Sequence, residues 1–402
     1  MQTQTPPSGS PARRALTTVE VPLRPAVVPR LLPAVAAALA GGSALLPLPT
    51  APTAVRDDLL REFAPRKPLE NDVAFIVPTS GSTGRPKGAL LSAAAVEAAA
   101  TATLERLGGP GRWLLALPAT HIAGLMVLAR SVVAGTEPVA VDLTGGFDPE
   151  LFAAASVQVF AGGGRRYTAL VPRQLSALLE AGGAPLSALS GYDAVLVGGA
   201  AADGALLDRA RKAGVEVVTT YGMTETCGGC VYDGVPLDGV RVTLAADGRI
   251  RLAGPTLAHG YRLRPDLARD FADSVFTTSD LGELDDDGRL TVRGRADDVA
   301  VSGGENVPLA TVDLAVASHP DVAEALSVAV PDAEWGERVV VAVVAADAAR
   351  PPSLDSVRAH VRERHPVAYA PKELHVLDAL PTLPGGKTDR RALAARLRLA
   401  GS

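Results

Sequence analysis

The sequence predicts an α/β fold: a large N-terminal domain with mostly parallel sheets flanked by helices plus an antiparallel β subdomain, and a small α+β C-terminal domain. Three observations carry this reading. Short apolar runs alternate with helix-length stretches as far as Val215–Thr219, the rhythm of a parallel sheet with helices on its faces. From Val240 the texture changes to strand pairs around Ala246-Asp-Gly and Asp285-Asp-Asp-Gly288, the mark of hairpins. At 402 residues the chain is long enough for more than one core.

The elements follow in order. The first twenty residues hold Pro, Ser and two arginines without an apolar run behind them, and read as a disordered start with no signal peptide. Leu31 to Val55 is uncharged, yet Pro33, Pro47, Pro49 and Pro52 break it, and the thirteen residues between the first two prolines are too few to span a bilayer. It reads instead as a helix near Ala34–Ala40, a stop at Gly41-Gly42 and a strand at Ala44–Leu48. Val55–Glu70 reads as a short helix with a polar lead-in, Val73–Val77 as a buried strand and Ser92–Leu107 as a helix. Strands are then expected at Trp113–Leu117, Pro138–Leu143, Tyr167–Pro172, Ala194–Gly198 and Val215–Thr219, with helices at Pro149–Ala155, Arg173–Ala181 and Ala205–Ala213. In such sheets ligands gather beyond the C-terminal strand ends. Thr79–Gly88, His121, Gly198-Gly199-Ala200 and the stretch from Tyr221 all fall there.

Composition narrows the function. A net charge of −5 without a basic stripe argues against a nucleic-acid partner. The two cysteines, Cys227 and Cys230, are too few for a disulfide framework and fit a reducing cytoplasm. They form one C-x-x-C with no second pair and few histidines, so they read as small, reduced wall residues rather than a zinc site.

The stretch Pro78 to Ala89, P-T-S-G-S-T-G-R-P-K-G-A, is a phosphate holder by chemistry. Gly81, Gly84 and Gly88 let backbone N–H groups approach an anion. Thr79, Ser80, Ser82 and Thr83 add hydroxyl donors, and Lys87 adds a mobile charge. It is not a Walker loop, since Pro86 precedes the lysine and Gly88 follows it. The chain has only five lysines against 34 arginines, yet Lys87 and Lys387 both sit in Gly/Pro-rich loops, which points to lysine-specific chemistry there.

At these residues the chain resembles the adenylate-forming superfamily of acyl-CoA ligases, peptide-synthetase adenylation domains and luciferases. Further motifs follow in the family's order over roughly residues 70 to 395. Tyr221-Gly222-Met223-Thr224-Glu225-Thr matches the next one: an aromatic to stack on adenine, Thr224 for a phosphate oxygen and Glu225 as a hard ligand for Mg²⁺. The resemblance adds Gly198, Gly199 and Ala200 to the ATP/AMP site and makes His121 a lining residue of the acyl pocket. It assigns the ribose hydroxyls to Asp280, although Ser279 stands where the family has Gly. Arg295 is implied as a nucleotide contact, Asp297 as the hinge of a mobile C-terminal domain, and Gly303-Gly304 as a gate for coenzyme A. Residues 21–294 would then form the N-terminal domain, 295–298 the hinge and 299–402 the C-terminal domain. Lys387, in Leu383-Pro-Gly-Gly-Lys387-Thr-Asp-Arg390, is implied to offset charge between carboxylate and α-phosphate.

The compact length and the phrase Y-G-M-T-E-T-C-G-G-C-V-Y-D-G-V-P-L-D-G-V are most similar to short-form o-succinylbenzoate–CoA ligases of menaquinone biosynthesis. Such a ligase would take ATP, Mg²⁺, coenzyme A and a small carboxylic acid in the cytoplasm, without nucleic acid or a membrane span, and with a homodimer as the candidate assembly. The acid's spare carboxylate wants a cation. Where such ligases are associated with an arginine, Ala177 stands here, and Arg173, four residues earlier on the same helical face, is the substitute. The alternatives are another aryl- or acyl-CoA ligase, an adenylation enzyme that loads a carrier protein, or a non-catalytic nucleotide binder. The joint presence of Lys87, Glu225, Asp280, Arg295 and Lys387 speaks against the last.

Overall fold

The computed structural model describes residues 14–69, 72–79, 86–332, 334–382 and 388–400. The chain divides into two compact units, one of Met1–Gly199, Arg209–Arg241 and Leu252–Phe276, the other of Ala200–Asp208, Val242–Arg251 and Thr277–Ser402.

The first unit opens with β1 (Leu16–Val21), α1 (Val27–Leu39), β2 (Ala44–Pro49), α2 (Thr53–Phe63), β3 (Val73–Thr79) and β4 (Lys87–Ser92). The four strands make one sheet in chain order, parallel from β1 to β3 and antiparallel between β3 and β4. The expected disorder up to residue 20 is therefore corrected from Leu16 onward. β1 pairs residue by residue with the buried β2, and Arg14 donates to the carbonyls of Ala38, Gly42 and Val73. A ladder to a buried partner orders β1, which composition alone does not reveal. The first helix also starts earlier than expected. Its buried stripe of Val27, Val28, Leu31, Val35, Ala38 and Leu39 carries it through Pro33 despite the missing N–H.

Next come α3 (Ala93–Arg106), β5 (Gly111–Leu115), α4 (Ile122–Ala134), β6 (Val139–Ala140), α5 (Pro149–Phe160), β7 (Arg165–Leu170), α6 (Pro172–Ala181), α7 (Gly183–Ser190), β8 (Ala194–Val197), α8 (Gly204–Lys212), β9 (Val217–Met223), β10 (Gly228–Tyr232) and β11 (Val235–Pro236). They build a seven-stranded sheet in the order β11-β10-β9-β8-β7-β5-β6. It is parallel from β9 to β6, with β10 and β11 added antiparallel. Trp113, Phe152, Tyr167 and Tyr192 fill its core, and their buried hydroxyls are satisfied: Tyr167 donates to the carbonyls of Leu107 and Gly109, and Tyr192 pairs with Ser156.

The chain continues through β12 (Arg241–Leu244), β13 (Arg249–Ala253), β14 (Val275–Leu284) and β15 (Leu290–Arg295), a four-stranded sheet in that order. The remainder of the second unit is β16 (Val299–Ser302), β17 (Glu305–Pro308), α9 (Leu309–Ala317), β18 (Val322–Asp332), β19 (Gly336–Ala345), α10 (Leu354–Arg362), β20 (Glu373–Val376) and α11 (Arg390–Ala400). Its sheet runs β17-β16-β19-β18 with β20 parallel beside β19. Alternation along β19 loads both faces. Val339, Val341 and Val343 join Val312, Val316 and Val357 on one side, while Val340 and Ala342 join Leu326, Leu380 and Leu393 on the other.

β15 goes with the C-terminal residues, because Thr311 at the start of α9 donates to the Arg293 carbonyl and Gly294 lies against Pro308 and Ala310.

Candidate active site

The hairpin β3–β4 sets Thr79 opposite Lys87. This corrects the expectation of a strand, a loop and then a helix, since a second strand intervenes and the hairpin belongs to a different sheet from β5, which His121 follows, and from β9, which carries Tyr221. Ser80, Gly81, Ser82, Thr83 and Gly84 lie outside the described residues, as does Lys387. β4 is pressed into the core at Gly88, where a Cβ would stand 2.8 Å from Ile76 Cγ2 and 2.9 Å from Phe63 Cε1. Along the other edge of β4 runs the segment from His259 to Arg262. His259 N–H donates to the Leu90 carbonyl, Leu90 N–H to Gly260 and Arg262 N–H to Gly88, at 2.7–2.9 Å. The buried Arg262 side chain then donates to the carbonyls of Phe63, Ala64, Lys67 and Pro68.

That pairing places Tyr261 under the lysine. Lys87 Nζ lies 4.8 Å from the centroid of the Tyr261 ring, and the Tyr261 hydroxyl donates to Glu225 Oε1 at 2.7 Å. Tyr261 and Glu225 are 8% and 6% exposed, so this bond is made away from water. Burial and then the Glu225 charge push the Tyr261 hydroxyl far above its ordinary range, which keeps it a donor. The sequence reading did not single out Tyr261. Its role rests on contacts to residues far away in the chain.

Glu225 itself is held by the turn after β9. Gly222 faces Gly229 across β10, and a Cβ there would stand 2.1 Å from the Gly228 carbonyl oxygen, so the crossing requires glycine. The buried Thr226 hydroxyl accepts from Met223 N–H at 3.0 Å and lies 2.7 Å from the Gly228 carbonyl, closing Thr224–Thr226 into a tight turn. Ala258 N–H donates to the Glu225 carbonyl at 2.8 Å. Thr224 is buried in the same turn, and Tyr221 lies on β9 opposite Val231. Cys227 and Cys230 are fully buried behind it, and burial raises both thiols, Cys230 to about 12.

The neighbouring parallel strands β5, β7 and β8 end at one edge of the sheet, as expected. His121 follows β5 as the exposed N-cap of α4, and Arg173 follows β7 as an exposed residue in the first turn of α6. Gly198 follows β8, where a Cβ would meet the Thr220 hydroxyl oxygen at 2.2 Å, and Gly199 takes a φ of +79°. Ala200 is exposed.

In the second unit Asp280, Arg295 and Asp297 form one cluster. Arg295 Nη1 lies 3.4 Å from Asp280, and Nε and Nη2 each reach an oxygen of Asp297 at 2.9 Å. Ser279 does not make a turn, because β14 runs straight through it. Gly303 and Gly304, with φ of +61° and +84°, form the two-residue turn between β16 and β17. Among the described residues no group of three or more His, Cys, Asp or Glu converges as a multi-ligand metal site would, and no helix is long and apolar enough to cross a membrane.

Residues 19–261 match the family model for AMP-binding enzymes, and residues 311–387 match that for the AMP-binding enzyme C-terminal domain. The chain is 48% identical over 370 residues to a probable 2-succinylbenzoate–CoA ligase of Mycobacterium tuberculosis, covering 91% of this chain and 94% of the relative. It is 34% identical to 2-succinylbenzoate–CoA ligase of Bacillus licheniformis, over 80% of this chain and 70% of the relative. The o-succinylbenzoate CoA synthetase of Bacillus subtilis, solved with its acyl-adenylate intermediate, aligns with a TM-score of 0.73 at 27% identity, over 90% of this chain and 80% of that one. An ATP-bound protein from Rhodopseudomonas palustris, 22% identical, shares the fold with a TM-score of 0.82 over 97% of this chain and 90% of that one.

Proposed function

The chain belongs to the AMP-binding enzyme family, and on that premise we propose that it is an ATP-dependent acid–CoA ligase acting on o-succinylbenzoate. The products are o-succinylbenzoyl-CoA, AMP and pyrophosphate, a step of menaquinone biosynthesis carried out in the cytoplasm. The observation that carries the choice of acid is the likeness, along nearly the whole chain, to the mycobacterial ligase.

Two half-reactions follow. A carboxylate oxygen of the acid bonds to the α-phosphorus of ATP, and the bond from that phosphorus to the pyrophosphate oxygen breaks. The CoA thiol, losing its proton, then attacks the acyl carbon, and the bond to AMP oxygen breaks. Negative charge gathers around the phosphates in the first step, so fixed positive charge lowers its barrier. Lys87 and Lys387 supply it, Thr79 to Gly84 hold the phosphates, and Thr224 bonds a phosphate oxygen. Gly198, Gly199, Ala200, Tyr221, Gly222 and Met223 frame the adenine, while Asp280 and Arg295 serve the ribose and nucleotide. His121 lines the acid's pocket, and Arg173 takes its second carboxylate. Asp297 is the hinge between the half-reactions, and the Gly303-Gly304 turn helps admit the thiol.

The residues present fit Mg²⁺. A single buried carboxylate, Glu225, suits an ion that keeps several waters and takes further ligands from phosphate. When bound, Mg²⁺ polarises the phosphoryl oxygens and neutralises their charge. Glu225 would hold it from the protein side.

The test is CoA-dependent AMP release with ATP and Mg²⁺, comparing o-succinylbenzoate with benzoate, a salicylate and a medium-chain fatty acid. Release with o-succinylbenzoate alone is expected. Release with another acid instead keeps the chemistry and removes the pathway. A homodimer is the assembly expected by light scattering.

A further inference from the structure

We propose that Tyr261 is a positioning residue that couples the phosphate-loop lysine to the metal-binding carboxylate. The inference rests on the reading of Lys87 and Glu225 given above. Lys87 stands over the face of the Tyr261 ring at 4.8 Å, and the hydroxyl of the same ring donates to Glu225 at 2.7 Å. One side chain thus touches the proposed phosphate cation through its π-face and the proposed metal ligand through its oxygen.

The ring is fixed well enough to do this. Phe271 meets it edge-on with centroids 5.4 Å apart, and Phe276 stacks on Phe271 at 4.7 Å. The backbone of Tyr261 is bridged to Ala89, two residues beyond Lys87, and the next residue is anchored by four carbonyls through Arg262. The core tyrosines Tyr167 and Tyr192 each direct the hydroxyl to an uncharged partner, the carbonyls of Leu107 and Gly109 and the Ser156 hydroxyl. Tyr261 directs it to a buried carboxylate, which costs that carboxylate none of its charge. The bond limits the rotation of the Glu225 carboxylate and so presents its oxygens in one orientation to a cation. The π-face holds the Lys87 ammonium beside the same site, at 4.8 Å from the ring centroid.

The experiment compares wild type, Tyr261→Phe and Tyr261→Leu by two binding measurements. Mn²⁺ replaces Mg²⁺ and is titrated by electron paramagnetic resonance into protein with a non-hydrolysable ATP analogue. Binding of the same analogue in excess chelator is followed by calorimetry. Tyr261→Phe keeps the ring under Lys87, so Mn²⁺ affinity should fall roughly tenfold while metal-free analogue binding stays unchanged. Tyr261→Leu should weaken both. In a Glu225→Gln background Tyr261→Phe should have no further effect on Mn²⁺. Undiminished Mn²⁺ affinity in Tyr261→Phe overturns the inference alone, as does an equal loss in both measurements, the signature of a merely structural role. Failure of the wild-type chain to bind Mn²⁺ with the analogue overturns the underlying reading and this inference with it.

Discussion

Asp280 and Arg295 stand opposite each other in register across β14 and β15, with guanidinium and carboxylate 3.4 Å apart, and the same guanidinium grips Asp297 with two 2.9 Å bonds. A planar fork makes this possible, and a lysine ammonium cannot reproduce it. Arg295→Lys is therefore expected to raise KM for ATP by about tenfold. Because Arg295 and Asp297 are nearly half-exposed, unfolding stability should change by less than about 1 kcal/mol. A stability loss with unchanged KM would place Arg295 in the scaffold instead.

The pH dependence of that cluster has a definite sign. Burial raises the Asp297 carboxyl, but the Arg295 bonds and charge outweigh it, and the group sits below its ordinary value. Its contribution is thus present above the unfolded carboxylate pKa, about 4, and is lost as pH falls below that. Arg295→Gln should flatten this acid limb of the unfolding curve, read by denaturant titration between about pH 5 and 2. An unchanged limb would contradict the assignment.

Gly88 couples the core to Lys87. A methyl group there would press on Ile76 and Phe63 below van der Waals distance. Gly88→Ala should cost about 1–3 kcal/mol by urea unfolding and displace the start of β4. A neutral substitution would mean that the two side chains yield freely.

Much of the first unit is legible in the sequence because the strands of a parallel sheet are buried on both faces and read as continuous apolar runs, as in A-V-L-V of β8. The motif loops are legible because glycine, hydroxyl and lysine at fixed spacing have few other uses. What escapes is set by distant partners. β4 reads K-G-A-L-L-S and looks like the approach to a helix, yet its ladder to β3 and to residues 259–262 makes it a strand. α4 has no polar stripe, since every residue from Gly124 to Ser131 is buried, so its period is invisible. Tyr261 is the clearest case, because Lys87, Glu225 and Phe271, which its side chain meets, all lie more than a turn away in the chain.

The buried thiols should be inert in the folded protein. Burial raises both, and Cys230 at about 12 leaves a negligible thiolate fraction at neutral pH. A thiol reagent at pH 8 should titrate fewer than one group in native protein and both in denaturant. Rapid native labelling would show that the turn after β9 opens.

Arg390 joins α11 to the rest of the second unit through Asp313 at 2.7 Å and Asp298 at 3.3 Å, while the Ser327 hydroxyl donates to Asp313 at 2.6 Å. Removing one partner strands the other in a largely buried site. Asp313→Ala is expected to cost about 3–5 kcal/mol, and the joint replacement Asp313→Leu with Arg390→Met to recover much of it. A single-variant cost below about 1 kcal/mol would mean that the pair is solvated.

The most direct test of the central claim is exchange of labelled pyrophosphate into ATP without coenzyme A. Exchange that requires o-succinylbenzoate and Mg²⁺ is predicted, because the acyl-adenylate forms reversibly before the thiol is needed. Exchange supported by a different acid alone, or product formation only when coenzyme A is present with no exchange without it, would contradict the account.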